Sequence, residues 1–131
     1  MAATTFAEPD RNESNALNLA LEPLRNSGSH ASSHLPYTLS SPGGLETLLQ
    51  RAGLEATDVG EVALTWDHDD VDQTVRAVLA SAGGAMAIEA AGLQAATDAL
   101  TSGARQLARG DGSVSMHNVF RYAIARKPAN G

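Results

Sequence analysis

The stretch Ser41-Pro42-Gly43-Gly44-Leu45-Glu46-Thr47-Leu48-Leu49-Gln50-Arg51-Ala52-Gly53-Leu54 holds both the start and the stop of one helix. Ser41 can accept a backbone hydrogen bond as N-cap, and Pro42 suits the first helical position, where its missing N–H costs nothing. Leu45, Leu48, Leu49 and Ala52 recur at helical spacing and share a face. Gly53 can take the left-handed conformation that ends a helix, with Leu54 folding back as its hydrophobic partner. The pattern predicts a helix over 42–52.

Working outward, residues 57–66 read as a strand, with Val62, Leu64 and Trp66 on one face and Glu61, Ala63 and Thr65 on the other. Asp67, His68, Asp69 and Asp70 end it and cap a helix whose Val71, Val75, Val78, Leu79 and Ala82 share a face; Gly83-Gly84 is expected to stop that helix. A short helix over 85–91 and a longer one over 93–108 follow. After the turn signal Asp111-Gly112 comes a strand over 119–126, with Phe120, Tyr122 and Ile124 on one face. Upstream, residues 2–6 are short, uncharged and partly β-branched, in keeping with a buried strand. Asp10 and Glu13 make a capping-box-like pair ahead of Leu17, Ala20, Leu21 and Leu24, predicting a helix over 10–22 with Pro23 near its end. Residues 26–36, rich in Ser, Gly, Asn and His, read as a loop. The order is β–α–loop–α–β–α–α–α–β in one domain spanning 1–131.

Composition narrows the function. The formal net charge of −6 argues against a nucleic-acid backbone as partner, which calls for a basic surface. No run approaches the ~18 apolar residues that span a bilayer, so no membrane is expected as partner. There is no basic n-region with an apolar h-region at the N-terminus, and no cysteine; the expectation is a soluble, cytoplasmic domain without disulfide or thiol chemistry. Aromatic residues are only 4% and much of the apolar content is alanine, which leaves each helix a narrow stripe of large side chains.

Three segments resemble the C-terminal region of class I S-adenosylmethionine-dependent methyltransferases acting on small molecules. They are Leu-Pro-Tyr-Thr-Leu-Ser-Ser-Pro-Gly-Gly-Leu-Glu (35–46), Arg-Ala-Gly-Leu (51–54) and Asn-Val-Phe-Arg-Tyr-Ala-Ile-Ala-Arg (118–126). In that family a Leu-Ser-x-Pro-Gly start opens the helix after strand five and Ala-Gly-Leu closes it; a strand, an inserted helical cap and a final antiparallel strand complete the sheet. Residues 2–9 resemble the end of strand five. The resemblance implies an α/β fold, a partial Rossmann-like methyltransferase sheet of about three strands with α-helical cap insertions. Residues 8–40 would be the first cap insertion and loop, 41–66 the helix and strand, 67–116 the helical cap and 117–131 the final strand and tail. Both insertions would leave the carboxyl ends of parallel strands, where ligands of open α/β sheets bind.

The donor site of that family is built by a glycine-rich turn after the first strand and an acidic residue ending the second. Neither is found here: Gly43-Gly44, Gly83-Gly84 and Gly110-Asp111-Gly112 read as caps or turns. S-adenosylmethionine is thus the parent family's cofactor, and this chain alone is expected to bind none. The resemblance makes a small-molecule acceptor the substrate, and a strand without its neighbour suggests self-association or a partner chain carrying the missing half. The alternative is a small α+β binding or protein-interaction domain without catalytic activity.

At the mouth of the implied cap, Trp66 and Tyr37 would offer a flat wall to a substrate, and His68 could help deprotonate an acceptor hydroxyl. The plainer reading is a surface histidine and two aromatics filling gaps beneath helices. The acidic cluster Asp67, His68, Asp69, Asp70 and Asp72 contains competent metal ligands, but its place before a helix favours capping. His30 and His34 lie in the Ser-rich loop and read as solvated.

Overall fold

The computed structural model describes residues 1–26 and 39–129. The loop expected around 26–36, with His30, His34 and the candidate Tyr37, lies outside the described residues apart from Asn26, which ends a helix. In chain order the elements are β1 (Ala2–Phe6), α1 (Asn15–Asn26), α2 (Gly44–Arg51), β2 (Glu55–His68), α3 (Val71–Leu79), α4 (Ala82–Ala91), α5 (Leu93–Leu107) and β3 (Val114–Arg126), with a short 3-10 turn at Pro9–Arg11. The fold is α/β. Its sheet has three strands in the order β1-β3-β2, so the last strand lies between the other two and runs antiparallel to them.

The described residues fall into two compact units. The first comprises 1–13, 39–64 and 117–129 and holds most of the sheet with α2. Alternation along β3 buries Ala123 and Ala125 against Leu45 and Leu49 of α2, with Ala3 and Leu54 completing the cluster. The helix 42–52 is therefore present, but its ends and face differ from expectation. Ser41 does not cap it: residues 39–43 form a turn, Gly43 precedes the helix at φ 80°, and no side chain caps the first N–H groups. Leu48 and Ala52 point outward, Leu48 being 47% exposed, because the sheet covers only the Leu45–Leu49 stripe. The stop is as read. Gly53 has φ 75°, its N–H donates to Gln50 O at 3.0 Å, and Leu54 N–H donates to Leu49 O at 2.9 Å. These are the paired hydrogen bonds of a Schellman motif, and Leu54 packs on the cluster as its hydrophobic partner.

The second unit comprises 14–26 and 65–116. Leu17 and Leu21 of α1, Val75 of α3, Ala87 of α4, Ala96, Leu100 and Ala104 of α5, and Val114 and Met116 of β3 form one buried cluster. Alanine on the inner faces lets the helices approach closely, and Leu21, Leu100 and Met116 are its largest fully buried side chains.

Other element boundaries also move. The helix expected over 10–22 runs over Asn15–Asn26. Glu13 does not complete a capping box with Asp10; its carboxylate accepts instead from His117 N–H, and Asn12 is buried against the backbone. The helix also passes through Pro23, which removes one hydrogen bond in its last turn. The pair Gly83-Gly84 does not stop α3, which ends at Leu79; both glycines lie in the first turn of α4. A Cβ on Gly84 would run into Val78 O and the Leu79 backbone, so the second glycine serves close packing, and Ser81 Oγ caps α4 through Gly84 N–H. The final strand begins at Val114, before the expected 119, because Val114 and Met116 have buried alternate positions.

Gly53→Ala is expected to destabilise the protein by about 1 kcal/mol through the strained positive φ. Ser41→Ala, at an exposed position without a capping hydrogen bond, should stay within about 0.5 kcal/mol of wild type. Leu100→Ala should cost about 2–5 kcal/mol by opening the alanine-rich cluster. Denaturant midpoints of the three variants check the ranking.

Candidate functional site

The densest polar constellation lies in the first unit and joins the segment after β1 to β2 and β3. Arg11 donates to both oxygens of Glu61, Nη1 to Oε1 at 2.9 Å and Nη2 to Oε2 at 2.7 Å, and Nη1 also reaches Glu8 Oε2 at 3.2 Å. Arg121 Nη2 donates to Glu8 Oε1 at 2.7 Å and lies 3.2 Å from Glu61 Oε1. Two guanidinium groups and two carboxylates thus alternate around a ring. The bidentate arm fixes orientation as well as distance. Arg121 is the most enclosed of the four side chains, 17% exposed, and its Nε is buried without a partner among the described residues.

Local sequence puts the groups there. Arg121 is on the same face of β3 as Ala123 and Ala125, so its stem lies beside α2 and its head emerges at the sheet margin. Glu8 and Arg11 are held by the Pro9–Arg11 turn, whose Arg11 N–H donates to Glu8 O at 2.9 Å. Asn12 fixes the turn to the sheet: Nδ2 donates to Ala7 O and Glu8 O, while Oδ1 accepts from Val119 N–H at 2.9 Å. Beside the ring is a shallow cavity of about 120 Å³, lined by Leu45, Glu46, Val59, Gly60, Glu61, Arg121 and Tyr122.

The Arg121 guanidinium holds the Glu8 carboxyl down at about 2, with help from a backbone hydrogen bond and Arg11. Arg11, principally, lowers Glu61, and the two carboxylates raise Arg11 above its ordinary value. A carboxylate that gives up its charge only near pH 2 is a poor proton acceptor at neutral pH. Both arginines are already neutralised by carboxylates, so neither presents a free positive charge to an anion. The ring is built for holding three chain segments together.

Of the residues singled out from sequence, Trp66 and His68 stand two apart on β2 and so share a face; Trp66 is 37% exposed and His68 is half-buried. Tyr37 lies outside the described residues. The acidic run beside them acts as a cap. Asp70 Oδ1 accepts from Gln73 N–H at 2.7 Å, and Gln73 Oε1 accepts from Asp69 N–H at 2.7 Å. This resembles a capping box, with the return bond reaching the N–H of Asp69, one residue before the N-cap Asp70, and the Asp70-x-x-Gln73 spacing signals it in the sequence. Among the described residues no three His, Cys, Asp or Glu side chains converge as metal ligands, and no helix is long and apolar enough to cross a membrane. The ring residues had a weaker signal: Arg121 is a charge between Phe120 and Tyr122 in a largely apolar run of β3, and Glu61 is one of several carboxylates on β2.

Comparison of the chain with protein-family models, with curated proteins and with solved structures finds no match.

The ring sets a pH dependence. Because Glu8 titrates lower in the folded chain than its ordinary 4.5, it contributes stability above that value, and the contribution is lost as pH falls from about 4.5 through about 2. Glu8→Gln should therefore melt lower than wild type at neutral pH, and the gap should close as the pH approaches 2. Thermal melts of both proteins across that window measure it; a gap independent of pH would contradict the ring's role. Added salt should also narrow the gap, since the ring is partly open to solvent.

Proposed function

We propose that this chain is the C-terminal, acceptor-side part of a class I S-adenosylmethionine-dependent methyltransferase acting on a small molecule. None of its residues supplies the donor site of that family, so these residues by themselves are expected to be inactive. The observation that supports this reading is the direction of the strands. β1 and β2 both run antiparallel to β3 and therefore run the same way as each other, as two successive parallel strands closed by a final antiparallel one require. The helix that precedes β2 covers the sheet, and the long helical insertion falls between β2 and β3. The segments that form the helical unit follow the carboxyl ends of β1 and β2, the ends at which open α/β sheets bind ligands.

The donor half has no counterpart among the glycine groups. Gly43-Gly44 opens α2 after a turn, Gly83-Gly84 lies in α4, and Gly112 turns the chain before β3 at φ 87°. None follows a strand directly to open a helix, the setting in which glycine lets the backbone approach a nucleotide. In this reading Trp66 and His68 are acceptor-side groups, with Tyr37 as a third.

A second reading, a small binding domain, draws on Val62, Leu64 and Ile124, which are 46%, 49% and 44% exposed on the sheet. A contiguous apolar face of this kind is what a binding partner would cover.

Titration calorimetry of S-adenosylmethionine into the isolated chain is expected to give no saturable heat. A micromolar dissociation constant would overturn the assignment of the chain as a donor-less part. The genomic sequence immediately upstream tests the family itself: a frame encoding a strand, a glycine-rich turn and a helix is expected there, and unrelated sequence would favour the binding-domain reading.

A further inference from the structure

β1 lies at one edge of the sheet and β2 at the other. The hydrogen bonds at the two ends of β1 fix which of its groups face inward. The Met1 ammonium donates to Ala125 O at 2.7 Å and Ala125 N–H donates to Met1 O at 2.8 Å; at the other end Ala7 N–H donates to Val119 O at 2.8 Å. Odd-numbered residues thus turn their N–H and C=O toward β3. Backbone groups alternate sides along a strand, so those of Ala2 and Thr4 point away from it, and both residues are exposed. No described strand pairs with them there.

The two edges differ in charge. Natural edge strands are commonly protected by charged side chains, proline or a bulge. β2 carries Glu55, Asp58, Glu61 and Asp67. Glu61 is held in the ring and Glu55 by Arg126, which leaves Asp58 and Asp67 as the carboxylates without an arginine partner among the described residues that repel a second copy of a chain with net charge −6. β1 is Ala-Ala-Thr-Thr-Phe, with no charge and no proline.

We propose that β1 is a self-pairing edge. Two copies of the chain join antiparallel through it about a two-fold axis at Ala3, making one sheet that runs through both. The N–H and C=O of Ala2 in one copy exchange hydrogen bonds with those of Thr4 in the other. Ala3 faces its own copy at the position between hydrogen-bonded pairs, where opposing Cα atoms approach to ~4.5 Å and a methyl group fits. Ala2 stands beside Thr4, so neither face of the joint carries a bulky or charged clash. The symmetry of the pairing matches that of ordinary homodimers, in which one patch meets itself. Strand addition of this length buries less than the ~1,200 Å² of standard stable interfaces, so the association is concentration-dependent. It rests on backbone geometry and charge alone, independently of the methyltransferase reading.

The test is sedimentation equilibrium of the full chain over a range of concentrations, alongside amide hydrogen exchange. The mass is expected to rise toward that of two chains, and exchange at Ala2 and Thr4 to slow as concentration increases. Ala2→Pro and Thr4→Pro each remove one outward N–H per copy and leave the β1–β3 ladder intact. Each should weaken the dimer by roughly tenfold or more, with the melting transition retained. A chain that stays monomeric, or a dimer equally tight in both variants, overturns the proposal. Protection of Ala2 and Thr4 that arises only when a different polypeptide is added also overturns it. Should a variant fail to fold, the exchange measurement on the wild-type chain decides.

Discussion

The sheet depends on its last strand. β3 comes at the end of the described chain yet lies between β1 and β2, so neither of the others has a neighbour without it. Its contacts with the N-terminal segment extend well beyond the paired residues of β1. They begin where Met1 meets Ala125, pass through the register Ala2–Ile124 to Phe6–Phe120, and continue with Ala7 on Val119. Beyond the 3-10 turn Asn12 Oδ1 takes the Val119 N–H, and Glu13 exchanges hydrogen bonds with His117 through both its backbone and its carboxylate. Asn12 thus supplies from a side chain the acceptor that a continued strand would have supplied from its backbone, which lets the segment leave the sheet without orphaning a β3 donor.

This arrangement explains why the strongest electrostatics are found where no chemistry is evident. The turn at Pro9–Arg11 departs from β1 and has little apolar surface of its own to hold it. Arg121 and Glu61 project from the two paired strands, and Glu8 and Arg11 close on them with opposite charge. Partly exposed pairs are individually weak, but a shared ring spreads the ordering cost of four side chains over several bonds. The ring's carboxylates hold the Arg121 guanidinium by one edge, and its Nε is buried without a partner among the described residues.

Much of the element order is legible in the sequence because local rules and tertiary demands agree there. The Gly53-Leu54 stop is an instance: positive φ, paired hydrogen bonds and a hydrophobic partner are all requirements of one short motif. Asp70 before Val71 is another. Legibility fails where a distant partner takes a group that local rules would assign. Glu13 has the right spacing to complete a box with Asp10, but His117, far along the chain, offers it a donor within the sheet margin. Gly84 has the look of a stop, yet its missing Cβ answers to the neighbouring helix end rather than to its own φ. Ser41-Pro42 has the look of a helix start, and Gly43 at positive φ delays it. The ring was harder still, since four charges scattered from residue 8 to residue 121 carry no common spacing.

Fold alone does not carry function, and the methyltransferase reading draws on topology rather than on a reactive group. It meets the self-pairing edge at one place, the outer side of β1. A missing neighbouring strand of a parallel sheet would hydrogen-bond to the same Ala2 and Thr4 groups, through slanted bonds instead of the perpendicular ones of an antiparallel pair. Parallel pairing is slightly weaker per residue, so on five residues the backbone alone favours a second copy. A donor half would have to displace that copy with apolar surface, by covering the half-exposed side of the sheet that carries Ile124, Val62 and Leu64. An edge that is small, neutral and unprotected is therefore compatible with both occupants, and what separates them is whether the face beside it is covered at the same time.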